Sequence, residues 1–354
     1  MLSISVAGAG LIGSRHVELV DRSAECRLAS IADPAPAAQA LAARYQVPWD
    51  PSVPALLERE RPDGIIVATP SQLHLEHALA CIDAGVPNLL EKPIATTVED
   101  GVAIATAAAD RDAPLLVGHH RRHSPIIRAA RRVIESGVLG RLVAVTGAAT
   151  FRKPDTYFDE APWRREVGGG PILINLIHEI DNLRFLCGEI SSVQAQASSV
   201  TRGFGVEDSV AITFAFTNGA LGTFMLSDVA ASPVSWELTA GENPDYPNVP
   251  GVDCYLLAGD RGSLGVPTLR LASYPGTPSW WEPLLAEIVD VRRTDPLEEQ
   301  IAHFCAVIRR ETEPLVTGWE GVQNLVVAKA VAEAARTGCT VRTPDVRTIA
   351  PGPT

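Results

Sequence analysis

A glycine-rich turn near the N-terminus is the first feature whose residue spacing could do chemistry. Gly8, Gly10 and Gly13 fit the pattern G-x-G-x-x-G, directly after a predicted strand and at the start of a predicted helix. In that setting the first glycine allows a tight turn, the second lets backbone approach a pyrophosphate, and the third lets helix pack on strand. Free N–H groups at the helix N-terminus would hold the phosphates. The alternative is a glycine-rich turn without a ligand. The residues predicted to bind a dinucleotide here are Gly8, Ala9, Gly10, Leu11, Ile12 and Gly13.

An acid stands where the second predicted strand ends. Asp33 lies 20 residues after Gly13, where a carboxylate takes both hydroxyls of an adenosine ribose. A carboxylate repels a 2′-phosphate, and no arginine directly follows Asp33, so the sequence favours NAD over NADP. The alternative is that Asp33 caps the helix entered through Pro34, and both roles are compatible.

A lysine follows the fourth predicted strand, in the run Glu91-Lys92-Pro93. It would lie at the carboxyl edge of a parallel sheet, where open α/β folds bind their ligands. An ammonium there could donate a hydrogen bond to a substrate oxygen and stabilise the negative charge that develops on it. The alternative is an exposed lysine in a turn, since lysines are mostly exposed.

A histidine and an aspartate follow at H-x-x-D spacing, on a helix predicted to start near Pro171. His178 and Asp181 are three residues apart, so they share a helix face and could reach one pocket. Histidine can take a hydroxyl proton while hydride leaves the same carbon, because its charge changes near neutral pH. The alternative is a histidine bonded to backbone, with Asp181 as a structural partner.

Taken together, these motifs resemble one family of oxidoreductases. The stretch with Thr69-Pro70, His74 and Glu91-Lys92-Pro93 looks like the signature of the glucose–fructose oxidoreductase, inositol dehydrogenase and rhizopine catabolism (Gfo/Idh/MocA) family. The glycine run that leads to H-x-x-D and the closing segment 318–341 resemble later motifs of that family. The resemblance covers nearly the whole chain.

The resemblance implies roles for residues at matching positions. Lys92 would be catalytic, with the peptide bond before Pro93 often cis, and His178 would be the acid/base. Asp181 would bind substrate hydroxyls, and the segment at Trp163 would lie near the nicotinamide. The further residues predicted to bind cofactor are Thr69, Pro70, His74, Glu91 and Lys92, and those predicted to bind substrate are Arg122, Trp163, Arg164, Asn175 and Asp181.

The sequence departs from the family four residues before the histidine. Many sugar and inositol dehydrogenases of the family carry an Asp there, whereas this chain has Ile174, followed by Asn175. Asn175 could hydrogen-bond substrate or His178, but an amide cannot supply the negative charge that stabilises an imidazolium. This departure puts a simple inositol-dehydrogenase assignment in doubt; the alternative is that the segment only faces the core.

Two arginine-containing runs and a histidine cluster are weaker candidates. Arg121-Arg122 and Trp163-Arg164-Arg165 could bind hydroxyls, a carboxylate or a phosphate. His119, His120 and His123 lie close together without a Cys or an acid at metal spacing, so no metal site is predicted.

The order of elements predicts an α/β fold with two domains. Residues 1–121 alternate strand and helix, which is typical of a doubly wound, parallel Rossmann sheet. Residues 122–354 contain longer strands, among them 235–241, and a hairpin turn at Asn218-Gly219. This second α+β domain would have an open, mostly antiparallel sheet, and the final helix could pack back on the Rossmann domain.

Composition excludes several classes of protein. The 354 residues hold 42 acidic and 30 basic side chains, and the net charge of −12 argues against a non-specific nucleic-acid binder. No apolar stretch approaches the roughly 20 residues of a membrane-spanning helix, and no signal peptide is predicted. Six scattered cysteines indicate buried thiols in a reducing cytoplasm. An open antiparallel sheet needs a cover, so a homodimer or homotetramer is expected.

These observations favour an NAD-dependent dehydrogenase or reductase acting on a secondary alcohol of a sugar, cyclitol or related polyol. Two other functions stay open. One is an NAD-retaining glycosidase that oxidises its sugar transiently, and the other is a nucleotide-binding sensor without turnover. A sensor would not need Lys92 together with His178.

Overall fold

The computed structural model describes residues 1–346, which form two compact units. The first contains Met1–His120, Pro296–Leu325 and residues 345–346, and the second contains Arg121–Asp295 and Val326–Pro344. After residue 295 the chain returns to the first unit, with α10 and the start of the final helix, whose return the sequence analysis allowed. No helix within residues 1–346 is long and apolar enough to cross a membrane.

Six parallel strands form the sheet of the first unit. They are β1 Leu2–Ala7, β2 Cys26–Ala32, β3 Trp49–Asp50, β4 Gly64–Val67, β5 Asn88–Glu91 and β6 Leu115–Gly118. The helices of this unit are α1 Leu11–Arg22, α2 Pro36–Tyr45, α3 Val53–Arg59, α4 His74–Asp83, α5 Val98–Asp110 and α10 Pro296–Ile308, and α11 Gly318–Thr337 begins in it. The strand order is β3-β2-β1-β4-β5-β6.

This order confirms the predicted Rossmann sheet. Every residue of β4 and β5 is buried, as expected for parallel strands covered on both faces. The chain order reverses at β1, which pairs with β2 on one side and with β4 on the other. Ligands of such sheets bind at the carboxyl ends of the strands beside this reversal. Gly8 directly follows β1, Asp33 directly follows β2, and Lys92 directly follows β5. All three residues therefore lie at that edge.

Nine strands form the sheet of the second unit, in the order β14-β13-β12-β11-β7-β10-β9-β8-β15. They are β7 Leu142–Thr150, β8 Ile190–Ser198, β9 Ser209–Phe216, β10 Leu221–Ser227, β11 Tyr255–Gly259, β12 Gly262–Val266, β13 Arg270–Ser273, β14 Leu285–Ile288 and β15 Val341–Arg342. The helices are α6 Pro125–Glu135, α7 Asp155–Asp159, α8 Ile177–Cys187 and α9 Trp236–Thr239, with the end of α11.

The second sheet is mostly antiparallel, as predicted. Its described pairs are antiparallel except β7 with β10, which run parallel. The predicted hairpin joins β9 to β10, with Gly219 at a φ of 89°. Residues of α6, α8 and α11 pack with the inner face of the sheet in one apolar core. The other face leaves Leu221, Met225 and Leu256 exposed.

Two details of the predicted secondary structure are wrong. Residues 235–241, predicted as a strand, contain the short helix α9, because Ser235 Oγ accepts a hydrogen bond from Leu238 N at 3.3 Å and caps it. The helix predicted from Pro171 begins instead as a π-helical turn, Ile172–Leu176, and becomes α-helical at Ile177.

The prediction of six buried thiols holds for five of them. Cys26, Cys81, Cys187, Cys254 and Cys305 are buried, whereas Cys339 is exposed beyond the end of α11. Cys339 lies in the short connection between α11 and β15.

Candidate active site

The glycine turn closes tightly at two positions and stays open at a third. Gly8 has a φ of 91°, and a Cβ on it would lie 2.4 Å from the carbonyl oxygen of Ala68. A Cβ on Gly13 would lie 1.9 Å from the carbonyl oxygen of Gly8. Around Gly10 a Cβ would meet nothing within 4 Å. The backbone therefore needs glycine at Gly8 and Gly13 for its own packing, and Gly10 leaves open space at the turn.

The N-terminus of α1 has no side-chain cap. Gly10 is the N-cap residue, and the first turn carries no acidic side chain. Leu11, the first helical residue, is 90% exposed. The orphan N–H groups and the positive end of the helix dipole thus face open space, an arrangement that binds phosphate.

Two backbone N–H groups hold the Asp33 carboxylate beside this turn. Oδ2 accepts a hydrogen bond from Ala9 N at 2.8 Å, and Oδ1 accepts one from Ala35 N at 2.7 Å, just ahead of α2. Each carboxylate oxygen has a further lone pair that could accept a ribose hydroxyl. The capping role and the ribose role of Asp33 are therefore compatible in the structure. Open space at Gly10, an uncapped helix and an oriented acid fit a dinucleotide with a free 2′-hydroxyl.

His74, which was predicted to bind cofactor, is buried, and both of its ring nitrogens contact backbone carbonyl oxygens. Its Nδ1 lies 2.8 Å from the carbonyl oxygen of Pro93, and its Nε2 lies 2.9 Å from that of Thr69. Burial lowers the pKa of the His74 imidazole. The ring thus links the turn after β4 to the turn after β5, which is a positioning role. Thr69 is half-buried and Pro70 is exposed at the same turn.

Glu91 is likewise buried and paired inside the unit. Its Oε1 lies 2.8 Å from His16 Nε2, and its Oε2 accepts a hydrogen bond from Lys92 N at 3.1 Å. Burial alone would raise the pKa of the Glu91 carboxyl, but the hydrogen bond and charge of His16 and the charge of Lys92 outweigh it and lower that pKa. The Lys92–Pro93 peptide bond is cis, as the resemblance implied. Glu91 therefore anchors the backbone that carries Lys92.

In the second unit, His178 lies in the first turn of α8 and is 8% exposed. The π-helical turn directly before it changes the spacing that the sequence suggested. Because Asn175 lies in that turn, the α-helical rule that residues three apart share a face does not apply to Asn175 and His178. π-helical turns are frequent at functional sites, where they redirect side chains.

Asn175 contacts a residue that the sequence did not single out. Lys153 Nζ donates a hydrogen bond to Asn175 Oδ1 at 2.6 Å and lies 3.5 Å from Asp228 Oδ2. Burial, with the charge of Arg164, lowers the pKa of Lys153 to about 8, although Asp228 raises it. A buried ammonium thus stands beside the π-helical turn that carries Asn175.

Two predicted substrate-binding residues, Arg122 and Asp181, form an ion pair with each other. Arg122 Nε and Nη2 each lie 2.9 Å from a different carboxylate oxygen of Asp181, and both side chains are buried. A bidentate pair of this kind orients the carboxylate on α8. It favours the alternative in which Asp181 is a structural partner, and substrate binding by Asp181 or Arg122 stays a prediction.

The neighbouring residues Arg121 and Glu179 form a second buried pair. Arg121 Nη1 donates to Glu179 Oε1 at 2.6 Å, and Nη2 donates to Glu237 Oε1 at 2.7 Å. The hydroxyl of Tyr255 also donates to Glu179. Burial raises the pKa of Glu179, and Arg121 opposes that rise. Glu179 directly follows His178, so this cluster holds the backbone of the histidine.

The segment at Trp163 places an arginine against an aromatic ring. Arg164 Cζ lies 3.7 Å from the centre of the Tyr157 ring, and Arg164 Nη1 donates to the carbonyl oxygen of Tyr157 at 2.6 Å. Trp163 is 55% exposed. Arg165 pairs with Asp159. Within residues 1–346, no group of three or more His, Cys, Asp or Glu side chains is placed to hold a metal ion.

Comparison with known proteins decides the family. A model of an oxidoreductase family with an NAD-binding Rossmann fold matches residues 2–119, and a model of the GFO/IDH/MocA C-terminal domain matches residues 127–243. The 1,5-anhydro-D-fructose reductase of Ensifer adhaerens is 30% identical over 282 residues, which are 78% of this chain and 78% of that protein. The chain belongs to the Gfo/Idh/MocA oxidoreductase family.

Two other similarities extend over almost the full length. The inositol 2-dehydrogenase of Rhizobium meliloti is 25% identical over 92% of this chain and 94% of that protein. The crystal structure of an oxidoreductase from Agrobacterium radiobacter, in complex with NAD⁺, L-tartaric acid and magnesium, has a TM-score of 0.81 at 21% identity. It covers 98% of this chain and 99% of that chain. This Gfo/Idh/MocA protein is therefore an oxidoreductase with an NAD-binding Rossmann domain.

The sequence reasoning missed Lys153, Tyr157 and Asp228 in the second unit. They lie after β7, in the short helix α7 and after β10, and no motif marks them. One signal in the sequence could have pointed to Lys153. The chain has only three lysines, and Lys153 lies shortly after a strand rather than on an amphipathic helix. A lysine is mostly exposed, so its burial could not be read from its type.

Proposed function

We propose that this family member is an NAD-dependent dehydrogenase that oxidises a secondary alcohol of a sugar, cyclitol or related polyol, or reduces the matching ketone. The observation that carries the proposal is the placement of Lys92 at the same sheet edge as the open Gly10 turn and Asp33. A site for a dinucleotide and a polar group suited to a reacting oxygen thus meet in one unit.

The proposed chemistry divides between two residues. The nicotinamide ring, when bound, accepts or supplies the hydride. Lys92 donates a hydrogen bond to the reacting oxygen and stabilises the negative charge that develops on it. His178 accepts the hydroxyl proton as the carbon loses hydride, and returns it in the opposite direction. Oxidation of the alcohol thus balances as one hydride to the cofactor and one proton to the imidazole.

The other residues support Lys92 and His178, each within its own unit. Asn175 orients a neighbouring substrate group together with Lys153, while His74 and Glu91 hold the turn that carries Lys92. Arg122 and Asp181 hold α8. The choice of a sugar or cyclitol rests on the relatives, which include enzymes named for anhydrofructose and for inositol. Formation of NADH from NAD and a polyol, by the purified protein, tests the proposal directly.

Replacing Asp33 by asparagine is expected to weaken the preference for NAD over NADP by about 10- to 100-fold in kcat/KM, the equivalent of one lost hydrogen bond to a charged group. The variant keeps the shape of the side chain but removes the charge that repels a 2′-phosphate. Asp63→Asn is the matched control, because Asp63 also accepts from backbone, at Ser3 N, but precedes β4 at the amino edge. If the ratio of kcat/KM with NAD to kcat/KM with NADP is the same in wild type and in Asp33→Asn, Asp33 does not select the cofactor.

A homodimer or homotetramer is expected because the outer face of the second sheet exposes Leu221, Met225 and Leu256. Light scattering of the purified protein measures its mass. Thr223→Glu adds a charge on β10 between two of these side chains and should lower the mass. Thr312→Glu, on an exposed residue of the first unit, should not. A wild-type monomer at micromolar concentration would contradict this prediction.

A further inference from the structure

A glutamate far away in sequence holds the start of the π-helical turn that leads to His178. Glu207 Oε1 accepts a hydrogen bond at 3.0 Å from the backbone N–H of Ile172, the first residue of that turn. The first N–H groups of a helix have no partner within the helix, and Pro171, which precedes Ile172, offers no side-chain acceptor. The Glu207 carboxyl group therefore takes the place of an N-cap side chain.

Gly170 shows how closely this carboxyl group is seated. A Cβ on Gly170 would lie 2.2 Å from Glu207 Oε1 and 2.6 Å from Glu207 Oε2. The φ of Gly170 is not positive, so the backbone conformation does not require glycine at this position. Space for the Glu207 carboxyl group is therefore the reason why a side chain at residue 170 is excluded.

The backbone that carries Glu207 is itself fixed by the next residue. Asp208 is buried, and its Oδ2 accepts hydrogen bonds from Thr201 N and Arg202 N, both at 3.0 Å. Strand β9 begins directly afterwards, at Ser209. Glu207 thus reaches the π-helical turn from a rigid strand end and not from a free loop.

Charged groups of two other segments face the Glu207 carboxyl group. Burial is the largest cause of its shift and raises the pKa of Glu207, and the negative charge of Asp228 adds to the rise. The hydrogen bond from Ile172 N and the charge of Lys153 oppose that rise. Because the charged form is disfavoured, the acceptor oxygen and its position matter more than the negative charge. An uncharged group of the same shape could therefore hold Ile172 equally well.

We propose that Glu207 is a positioning residue for His178. The inference rests on the proposed function, in which His178 is the acid/base. Ile172 and His178 belong to one uninterrupted helical segment, whose successive residues lie about 100° apart around the axis where it is α-helical. By fixing Ile172 N, Glu207 fixes where the π-helical turn begins, and with it the direction in which Asn175 and His178 leave the helix.

Steady-state kinetics of NADH formation test this role. Glu207→Ala should lower kcat about 10- to 100-fold, the range for a displacement of about 1 Å at a reacting group, with little change in the KM of the alcohol or in NADH affinity. Glu207→Gln keeps the shape and an acceptor oxygen, so its kcat should stay within about threefold of wild type. Glu282→Ala, at an exposed glutamate of the second unit, should change neither parameter. Wild-type kcat in Glu207→Ala, or an equal loss in Glu207→Gln, overturns the inference.

Gly170→Ala disturbs the same contact from the other side. Its Cβ would take the place of Glu207 Oε1 and displace the carboxyl group, so kcat should fall by a similar factor. In the double variant with Glu207→Ala that space is empty, and the second substitution should add little further loss. Losses that multiply in the double variant overturn the inference.

An NMR spectrum of histidine-labelled protein gives a readout that does not need activity. The ring signal of His178, assigned with His178→Gln, should shift in Glu207→Ala and stay in place in Glu207→Gln. If no alcohol reduces NAD, the proposed function fails, and an unchanged His178 signal in Glu207→Ala then overturns the inference as well. Should Glu207→Ala not fold in a thermal unfolding experiment, Gly170→Ala replaces it, and an unchanged kcat or His178 signal in that variant overturns the inference.

Discussion

Replacing Lys92 by methionine, or His178 by glutamine, is expected to lower kcat about 10²- to 10⁴-fold, the range for loss of a positioned acid or base. Lys92→Met removes the donor that stabilises charge on the reacting oxygen, and His178→Gln removes the proton acceptor. Steady-state kinetics with the best alcohol substrate measure the loss. NADH affinity, followed by its fluorescence, should change little, because the glycine turn and Asp33 remain.

Two comparisons separate chemistry from folding in this experiment. Lys329→Met removes an exposed lysine of α11 and should keep full activity. Thermal unfolding of Lys92→Met should stay close to wild type, since Lys92 is half-buried rather than part of the core. His178 is buried, so the same measurement on His178→Gln shows whether that variant is folded before its turnover is compared. Turnover within about threefold of wild type in Lys92→Met or His178→Gln would remove that residue from the proposed mechanism.

Replacing Arg121 by methionine is expected to cost about 3–5 kcal/mol of unfolding free energy, the range for removing one partner of a buried ion pair. The change leaves Glu179 with a buried charge and without the guanidinium that stabilised it. Denaturant unfolding measures the loss. Arg128→Met, an exposed arginine on α6, is the control and should change stability by less than about 0.5 kcal/mol.

The pH dependence of this variant follows from Glu179. Burial raises the pKa of this carboxyl in the folded protein, and Arg121 normally opposes the rise. Without Arg121 the pKa of Glu179 in the folded protein lies further above its unfolded value. Ionisation of Glu179 therefore lowers the free energy of unfolding as pH rises. The deficit of Arg121→Met should therefore shrink as pH falls toward the carboxyl range. A double variant with Glu179→Gln should recover part of the loss, and a deficit independent of both pH and Glu179 would contradict this account.

Much of the first unit could be predicted because each signal was local. The apolar strands, the glycine turn and Asp33 depend on backbone geometry and on neighbours close in sequence. The sheet order then places them at one edge without further information. The sequence analysis allowed the final helix to return to this unit, but the return of α10 was not predicted, because nothing in its sequence states which sheet it covers.

The second unit was harder to predict because its features depend on distant partners. The segment at Trp236 has strand-like residues, but the cap from Ser235 makes it a helix. Asp181 has the right spacing to share a pocket with His178. The structure shows its carboxylate paired with Arg122, which is far away in sequence. Lys153 entered the candidate site only when the structure showed its contact with Asn175.

We propose above all that this chain transfers hydride between an alcohol carbon and NAD. The most direct test is the absorbance of NADH formed by purified protein with NAD against a panel of sugars, cyclitols, sugar acids and sugar phosphates, with NADP in parallel. We expect NAD reduction by one class of compound, much faster than NADP reduction. Absence of NAD reduction across the panel, by a protein that binds NAD in calorimetry, would contradict it.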